Sequence, residues 1–132
     1  MSEIRTKLNK FDLEERLIRF AVAIVNLVSS MPDSRPASHL GGQLLRSGTS
    51  PALNYGEAQS GESRKDFIHK LQIVLKELRE SHVCLKIIFS SQLYNSKEQM
   101  EVLLAESNEL ISIFVKSVET ARKNDKQQVI TS

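Results

Sequence analysis

A chain of 132 residues is long enough to form one domain that buries roughly two-thirds of its unfolded surface without disulfide or metal staples. Its formal charge of +2, from 18 Lys and Arg against 16 Asp and Glu, is too near zero to predict nucleic-acid binding from bulk charge. The single Cys84 excludes an intrachain disulfide, and three scattered histidines do not suggest a zinc site, so we expect no metal, no cofactor and a reducing cytoplasm.

The sequence predicts neither an export signal nor a membrane span. Its first ten residues mix Glu3 with Arg5 and Lys7 and have no apolar core, unlike a signal peptide. The longest uncharged apolar run, residues 20–31, is shorter than the ~20 residues that a spanning helix requires. We therefore expect a soluble protein with no membrane partner.

The periodicity of apolar residues predicts helices throughout, and no run alternates in the manner of a strand. The first helix begins near Asp12 as N-cap and carries a main apolar column that starts at Leu13. Beside it runs a second apolar column, made by Ile18, Ala21, Val25 and Val28.

The third and fourth predicted helices open with capping boxes. Ser63 is followed three residues later by Asp66, and Ser96 is followed three residues later by Gln99. The third helix should end between residues 90 and 94. Past residue 122 the periodicity is lost, so we expect a disordered tail over 124–132. Because the first helix is predicted to begin near Asp12, we expect a flexible N-terminus over 1–11 and a bundle over 12–123.

The second helix is the least obvious, because residues 43–59, QLLRSGTSPALNYGEAQ, are rich in Ser, Thr and Gly. At 100° per residue, however, apolar and small residues share one face. They are Leu40, Leu44, Gly48, Pro51, Tyr55 and Ala58. This sorting predicts a helix over residues 38–60 with Tyr55 in the core. A nucleotide-binding turn is not predicted, because the stretch has no glycine-rich phosphate motif and no strand precedes it.

Pro51 leaves two alternatives for this helix. A proline in a helix interior removes one hydrogen bond and clashes with the preceding turn, which predicts a kinked but continuous helix. Alternatively, Ser50 caps a separate segment in which Pro51 is the first residue.

Residues 43–81 resemble the core signature of the bacterial four-helix-bundle family named after the 23S rRNA intervening-sequence protein. In that family a QLLRSGTS-like stretch leads to an N-x-x-E-A step and then to a K-x-D-F-x-x-K-L…K-E-x-R-E helix. The matching residues are Leu44, Leu45, Arg46, Ser47, Thr49, Ser50, Asn54, Glu57, Ala58, Ser63, Asp66, Phe67, Lys70, Leu71, Lys76, Glu77, Arg79 and Glu80. The chain departs from the pattern at residues 82–84, HVC, where the family often has an aromatic pair.

The resemblance implies an all-α, antiparallel up-and-down four-helix bundle that assembles into a ring-shaped homo-oligomer, with five copies as the expected number. Members of the family are encoded within intervening sequences of 23S rRNA genes or as free-standing genes. The accessory protein of diversity-generating retroelements is similar and binds nucleic acid and a reverse transcriptase. No catalytic activity is associated with the family, and its implied partners are further copies, rRNA or other structured nucleic acid, or another protein.

One face of the third helix is basic and lacks acids. It is formed by Lys65, His69, Gln72, Lys76, Arg79, Val83 and Lys86. Such a face could follow a phosphate backbone, with Arg46 as a further contact, and each cation would neutralise a phosphate without reading a base. The alternative is a solvated face that Glu77 and Glu80 neutralise through pairs such as Lys76–Glu80.

Other candidate residues are structural. We expect Ser50, Asn54 and Glu57 to form a polar contact between subunits, with a ligand site or a plain exposed face as alternatives. Apolar side chains off the core face of the third helix predict a further subunit contact; they are Ile73, Val83 and Ile87. His82 lies on an apolar column and reads as a buried histidine with a hydrogen-bond partner.

No enzyme is predicted. A di-metal carboxylate bundle requires Glu-x-x-His pairs on two helices, and none is present. The sequence therefore predicts a non-catalytic accessory protein linked to nucleic acid or to the ribosome. The alternative is an oligomeric scaffold that binds a protein partner and no nucleic acid.

Overall fold

A computed structural model describes the backbone of residues 2–60 and 63–131 and the side chains of 13–60 and 63–125. Four helices follow one another: α1 (Ser2–Ser29), α2 (Arg35–Gln59), α3 (Arg64–Ser90) and α4 (Lys97–Thr131). These residues include no strand. Each helix packs on the next through a short connection, and α1 meets α4 over a much smaller area. The prediction of an all-α up-and-down four-helix bundle is confirmed, whereas the ring stays a prediction.

Serine side chains begin α3 and α4, which confirms the serine half of each predicted capping box. The hydroxyl of Ser63 accepts a hydrogen bond from the backbone N–H of Asp66 at 3.1 Å, and Ser96 accepts one from Gln99 at 3.3 Å. Each bond satisfies an N–H that the first turn of a helix leaves without an intrahelical partner. The end of α3 at Ser90 also lies where the sequence predicts it.

The second helix is continuous through Pro51, so its predicted continuity is confirmed and the split helix is wrong, while the kink stays a prediction. It begins at Arg35, three residues earlier than expected. Ser34 provides the cap, because its hydroxyl accepts from the N–H of Ala37 at 3.3 Å. Pro36 then lies in the first turn, where a missing N–H has no cost.

The outer helices extend further than the sequence predicts. α1 begins at Ser2 instead of near Asp12, and α4 continues to Thr131. Both extensions lack an apolar period, but they also lack Gly and Pro, the two residues that disfavour a helix interior most strongly. Nothing in the local sequence stops the helix there. The expected flexibility of residues 1–11 and 124–132 stays a prediction.

The core contains apolar side chains from all four helices. The largest fully buried ones are Phe20, Phe114, Leu17, Ile24, Leu44, Leu78, Leu85, Ile88, Met100 and Leu110. Tyr55 packs edge-on against Phe114, with ring centroids 5.6 Å apart, and is therefore a core aromatic as predicted. None of the helices in the described part of the chain has the length and hydropathy needed to cross a bilayer.

Glycine allows α1 and α2 to approach closely. A β-carbon placed on Gly48 would lie 2.8 Å from two side-chain carbons of the fully buried Ile24, and one placed on Gly41 would lie 3.3 Å from Val28. By contrast, a β-carbon on Gly42 would meet nothing within 4 Å. The small residues predicted for α2 thus do serve helix packing, at Gly41 and Gly48.

We expect Gly48→Ala to destabilise the protein. Overpacking against Ile24 costs about 1–3 kcal/mol, which outweighs the helix-propensity gain of up to about 1 kcal/mol from replacing glycine by alanine. Urea unfolding of dilute protein measures the difference. The matched control is Gly42→Ala, which gains propensity without a clash. Equal effects of the two substitutions would contradict this account of the α1–α2 contact.

Candidate nucleic-acid interface

The predicted basic residues share the outer face of α3, directed away from the core. Lys65, Lys76, Arg79 and Lys86 are exposed, as is His69, while Gln72 is half-buried. Among the described side chains, none of the four Lys and Arg residues lies within 4.0 Å of a carboxylate. Their charges are therefore directed at solvent. These four cations are called the α3 basic face below.

The two acids that flank this face are paired elsewhere. Arg46 on α2 donates to Glu77 at 2.9 Å and to Glu80, both on α3. The predicted neutralising pair between Lys76 and Glu80 is absent from the ion pairs of the described residues. The carboxylates thus hold α2 against α3 instead of neutralising the α3 basic face by direct pairs.

Arg46 was predicted as a further phosphate contact, and its surroundings limit that role. Its side chain is about half exposed, whereas the side chain of Glu77 is only 11% exposed. The hydrogen bond to Glu80 and the charge of Glu77 raise the pKa of Arg46. With two carboxylates against one guanidinium, this cluster carries a net negative charge. Arg46 consequently has less to offer a phosphate than the exposed lysines.

The Arg46 cluster predicts a pH dependence of stability. The hydrogen bond from Arg46 lowers the pKa of Glu80, more than burial raises it. A carboxyl with a lowered folded pKa stabilises the fold above its unfolded pKa, and this contribution is lost as pH falls through the folded value. We expect Arg46→Met to lower the melting temperature at pH 7, and the difference from wild type to shrink as pH falls below about 4.5.

Thermal unfolding by circular dichroism between pH 7 and pH 3 measures this difference. Arg19→Met is the control, because among the described side chains Arg19 pairs with Glu15 alone, in an exposed contact within α1. Such pairs contribute little to stability. A wild-type advantage over Arg46→Met that stayed constant down to pH 3 would show that the arginine acts through packing alone.

Two buried serines complete the α2–α3 contact. Ser81 donates to the hydroxyl of Ser47 at 3.0 Å, and both residues are fully buried. The same Ser81 hydroxyl lies 2.9 Å from the carbonyl of Glu77. Ser81, which interrupts the apolar seam of α3 in the sequence, is therefore matched by a serine on α2. The sequence signal was the pair of serines among apolar core positions, but it does not say that they meet.

The structure separates the predicted polar interface residues into two contacts. Asn54 donates to the carbonyl and the hydroxyl of Ser50, at 3.0 and 2.8 Å, within α2. Glu57 instead forms an ion pair with Lys70 on α3. Both contacts lie within one chain, and a role between subunits stays a prediction for all three residues. Among the apolar candidates, Ile73 is half-buried, while Val83 and Ile87 are exposed on the outer side of α3.

The remaining reactive side chains are engaged in packing. The Nδ1 atom of His82 lies 2.7 Å from the hydroxyl of Ser107 on α4, and partial burial, followed by the charge of Lys86, lowers its pKa. Cys84 is buried with its sulfur 3.4 Å from the carbonyl of Leu40, and burial raises the pKa of the thiol. No group of three His, Cys, Asp or Glu side chains in the described ranges could hold a metal ion.

A cavity of about 840 Å³ opens where α2 ends and α3 begins. Tyr55, Phe67 and Ile113 form part of its apolar wall, and Arg64 and Lys116 lie at its polar side. No Asp, Glu, His or Cys is present among the described residues that line it. The hydroxyl and amino groups on this described lining, those of Ser63, Ser117, Thr120 and Lys116, thus have no carboxylate, imidazole or thiol beside them in the cavity wall.

Sequence reasoning missed an apolar surface on the outside of α1 and α2. Part of the predicted second column of α1 points outward: Ile18 is 43% and Val25 41% exposed. The exposed large apolar side chains of the two helices are Ile18, Val22, Val25, Leu45 and Leu53. They form what is called the α1–α2 apolar face below. A wide apolar stripe predicts burial, but it does not show which edge of the stripe remains outside.

Comparisons with known proteins identify the family to which this fold belongs. The chain is similar to a crystallised protein of unknown function from the S23 ribosomal protein family of Bacteroides thetaiotaomicron, at 34% identity and a TM-score of 0.74, over 80% of this chain and 97% of the other. No curated protein matches. Residues 9–116 match the family model described as 23S rRNA-intervening sequence protein. The chain thus belongs to the family of 23S rRNA-intervening sequence proteins.

Proposed function

We propose that this protein is a non-catalytic accessory protein that binds structured nucleic acid, with ribosomal RNA as the first candidate, through the α3 basic face. The proposal rests on the exposure and the unpaired charges of Lys65, Lys76, Arg79 and Lys86. All four are exposed and none has an ion-pair partner among the described residues. The nearby acids Glu77 and Glu80 are occupied by Arg46.

The mode of binding follows from the chemistry of this face. The cations from Lys65 to Lys86 extend over about 30 Å of helix, at 1.5 Å per residue. Exposed lysine and arginine side chains neutralise phosphates, and among the described residues α3 has no exposed aromatic side chain on which bases could stack. Binding should therefore depend on backbone charge and shape, tolerate many sequences and weaken steeply with salt.

Assembly into a homo-oligomer, with a ring of five copies as the expected form, is part of the proposal. Each copy would present one α3 basic face, and several weak contacts to one RNA would act together. The family name, which links its members to 23S rRNA, supports ribosomal RNA as the partner to test first. A reducing cytoplasm suits the single buried thiol of Cys84.

Fluorescence anisotropy tests the proposal with purified protein, a structured rRNA fragment and duplex DNA, each at low and at physiological salt. We expect micromolar or tighter binding at low salt, with affinity falling steeply as salt rises. Absence of binding to both ligands at low salt would overturn the proposal.

The second candidate function is a scaffold that binds another protein and no nucleic acid. The α1–α2 apolar face favours it, because exposed apolar patches frequently mark contacts between proteins. The two functions differ in one observable: the scaffold predicts no salt-dependent retention of RNA or DNA. Charge reversal on α3 would then leave partner binding unchanged.

A further inference from the structure

The cavity where α2 ends and α3 begins is walled by all four helices. Leu13 of α1, Tyr55 of α2, Phe67 of α3 and Ile113 of α4 all belong to its lining. Along α4 the lining runs from Ile113 to Asn124, which is about 16 Å at 1.5 Å per residue. Its volume of about 840 Å³ falls within the roughly 300–1,000 Å³ of pockets that hold small organic molecules. The cavity is therefore long and large enough for such a molecule.

Small residues and a wide separation of the outer helices produce this space. α4 buries Leu110, Phe114 and Val118 in turn, but its next buried residue, at the cavity wall, is Ala121. On α2 the wall likewise contains the buried Ala58. α1 and α4 meet over a much smaller area than the other neighbouring helices do. Larger side chains at the two alanines would bury more apolar surface, so the fold forgoes stabilisation by leaving this wall accessible.

Two cations lie where the cavity meets solvent. Arg64 on α3 and Lys116 on α4 are both exposed, and both belong to the lining. Among the described side chains, neither cation lies within 4.0 Å of a carboxylate. The described part of the lining also contains no Asp or Glu. A negative group at this edge would therefore be attracted by the lining and not repelled by it.

The inner wall of the cavity is uncharged along the described lining. Tyr55 is only 7% exposed, and burial raises the pKa of its phenol, so the ring keeps its proton. The charge of Glu14, which does not belong to the described lining, acts in the same direction. The wall near Tyr55 thus favours an apolar group, whereas charge is confined to the edge at Arg64 and Lys116.

We propose that this cavity binds a small organic anion with an apolar body and one negative head group, such as a medium-chain carboxylate. The apolar body would lie against Tyr55, Phe67 and Ile113, and the head group would lie beside Arg64 or Lys116. The proposal goes beyond the proposed function and does not depend on nucleic-acid binding. It also uses different cations from those of the α3 basic face.

The arrangement predicts how affinity depends on the ligand. Each further methylene that the wall buries should strengthen binding about fourfold, so affinity should rise from hexanoate to octanoate to decanoate. Decanol has the same body without the charge and should bind several-fold more weakly. Decyltrimethylammonium carries the opposite charge and should bind more weakly than decanol.

Isothermal titration calorimetry of the full chain measures these affinities, with each ligand below its micelle concentration. Decanoate and decyl phosphate are compared because they distinguish a carboxylate from a phosphate head group. Binding of either with one site per chain, more tightly than decanol, is the expected result and identifies the preferred head group. Binding of neither, or equal affinities for decanoate and decanol, would overturn the proposal.

Charge reversal tests the role of the two cations. Arg64→Glu with Lys116→Glu should weaken decanoate binding at least ~10-fold, because two attractions become repulsions, and should leave decanol binding unchanged. Lys86→Glu with Lys97→Glu is the matched control, since it makes the same change in net charge at exposed residues near the other end of the bundle. Equal losses of decanoate binding in the two double variants would contradict a site at this cavity.

A larger side chain tests the position of the apolar body. Ala121→Phe should weaken decanoate and decanol alike by at least ~10-fold, because space for two or more methylenes is lost. Ala105→Phe, at an exposed position of α4 away from the cavity lining, is the control. Undiminished binding by Ala121→Phe with native circular dichroism would overturn the proposal.

The charge variants keep this test informative even if Ala121→Phe loses helix content, because they change exposed side chains only. None of these titrations contains RNA. Failure of this proposal is therefore distinguishable from failure of the proposed function, which the anisotropy experiment measures on its own.

Discussion

Reversal of charge at Lys76 and Arg79 together is expected to lower the affinity for structured RNA at least ~10-fold at physiological salt, to a level at which retention is lost. Both side chains are exposed in the middle of the α3 basic face, and neither has an ion-pair partner among the described residues. Replacement by glutamate removes two phosphate contacts and adds repulsion. The dependence of log affinity on log salt should lose roughly 1.5–2 units of slope.

The matched control for Lys76→Glu with Arg79→Glu is Lys97→Glu with Lys123→Glu. It makes the same change in net charge at two exposed residues of α4. Anisotropy with an rRNA fragment should show little loss for the control pair. Equal losses for the two double variants would mean that net charge, and not the α3 basic face, determines binding. Circular dichroism and light scattering verify that fold and assembly are retained.

Truncation of Phe114 is expected to produce the largest loss of stability. Phe114→Ala should lower the free energy of unfolding by about 3–5 kcal/mol, a large part of the roughly 5–15 kcal/mol that stabilises a domain. The side chain is fully buried and is the aromatic partner of Tyr55. The melting temperature should fall by roughly 10–20 °C for a chain of this length.

Phe67→Ala provides the comparison for this substitution. The same atoms are deleted, but Phe67 is only half-buried, at the wall of the cavity between α2 and α3. Its loss should cost less than half as much, as measured by thermal or urea unfolding. Similar costs at the two positions would contradict the assignment of the core around Phe114.

Local chemistry made much of this fold predictable. Ser63 and Ser96 begin their helices because a hydroxyl can reach the third N–H that follows, an interaction encoded within four residues. The 3.6-residue period likewise located the exposed side of α3. Local chemistry did not decide whether α2 continues through Pro51, because the preceding Ser50 favours a new helix and the apolar face favours a continuous one.

The remaining features depend on how helices pack, which the sequence does not state. Glu77 and Glu80 have lysines nearby on their own helix, yet both pair with Arg46, which is more than 30 residues away. Ile18 and Val25 belong to an apolar stripe, but only the position of α2 decides that they remain exposed. For the same reason the α1–α2 apolar face was not predicted: the sequence shows that its residues are apolar, but not that they are exposed.

Photocrosslinking tests the central claim most directly. A structured rRNA fragment that carries 4-thiouridine would be irradiated with the wild-type protein at low salt, and the linked peptides identified by mass spectrometry. We predict that the links concentrate in α3, between Lys65 and Lys86, and disappear as salt is raised. Links confined to other helices, or no links at low salt, would contradict the account.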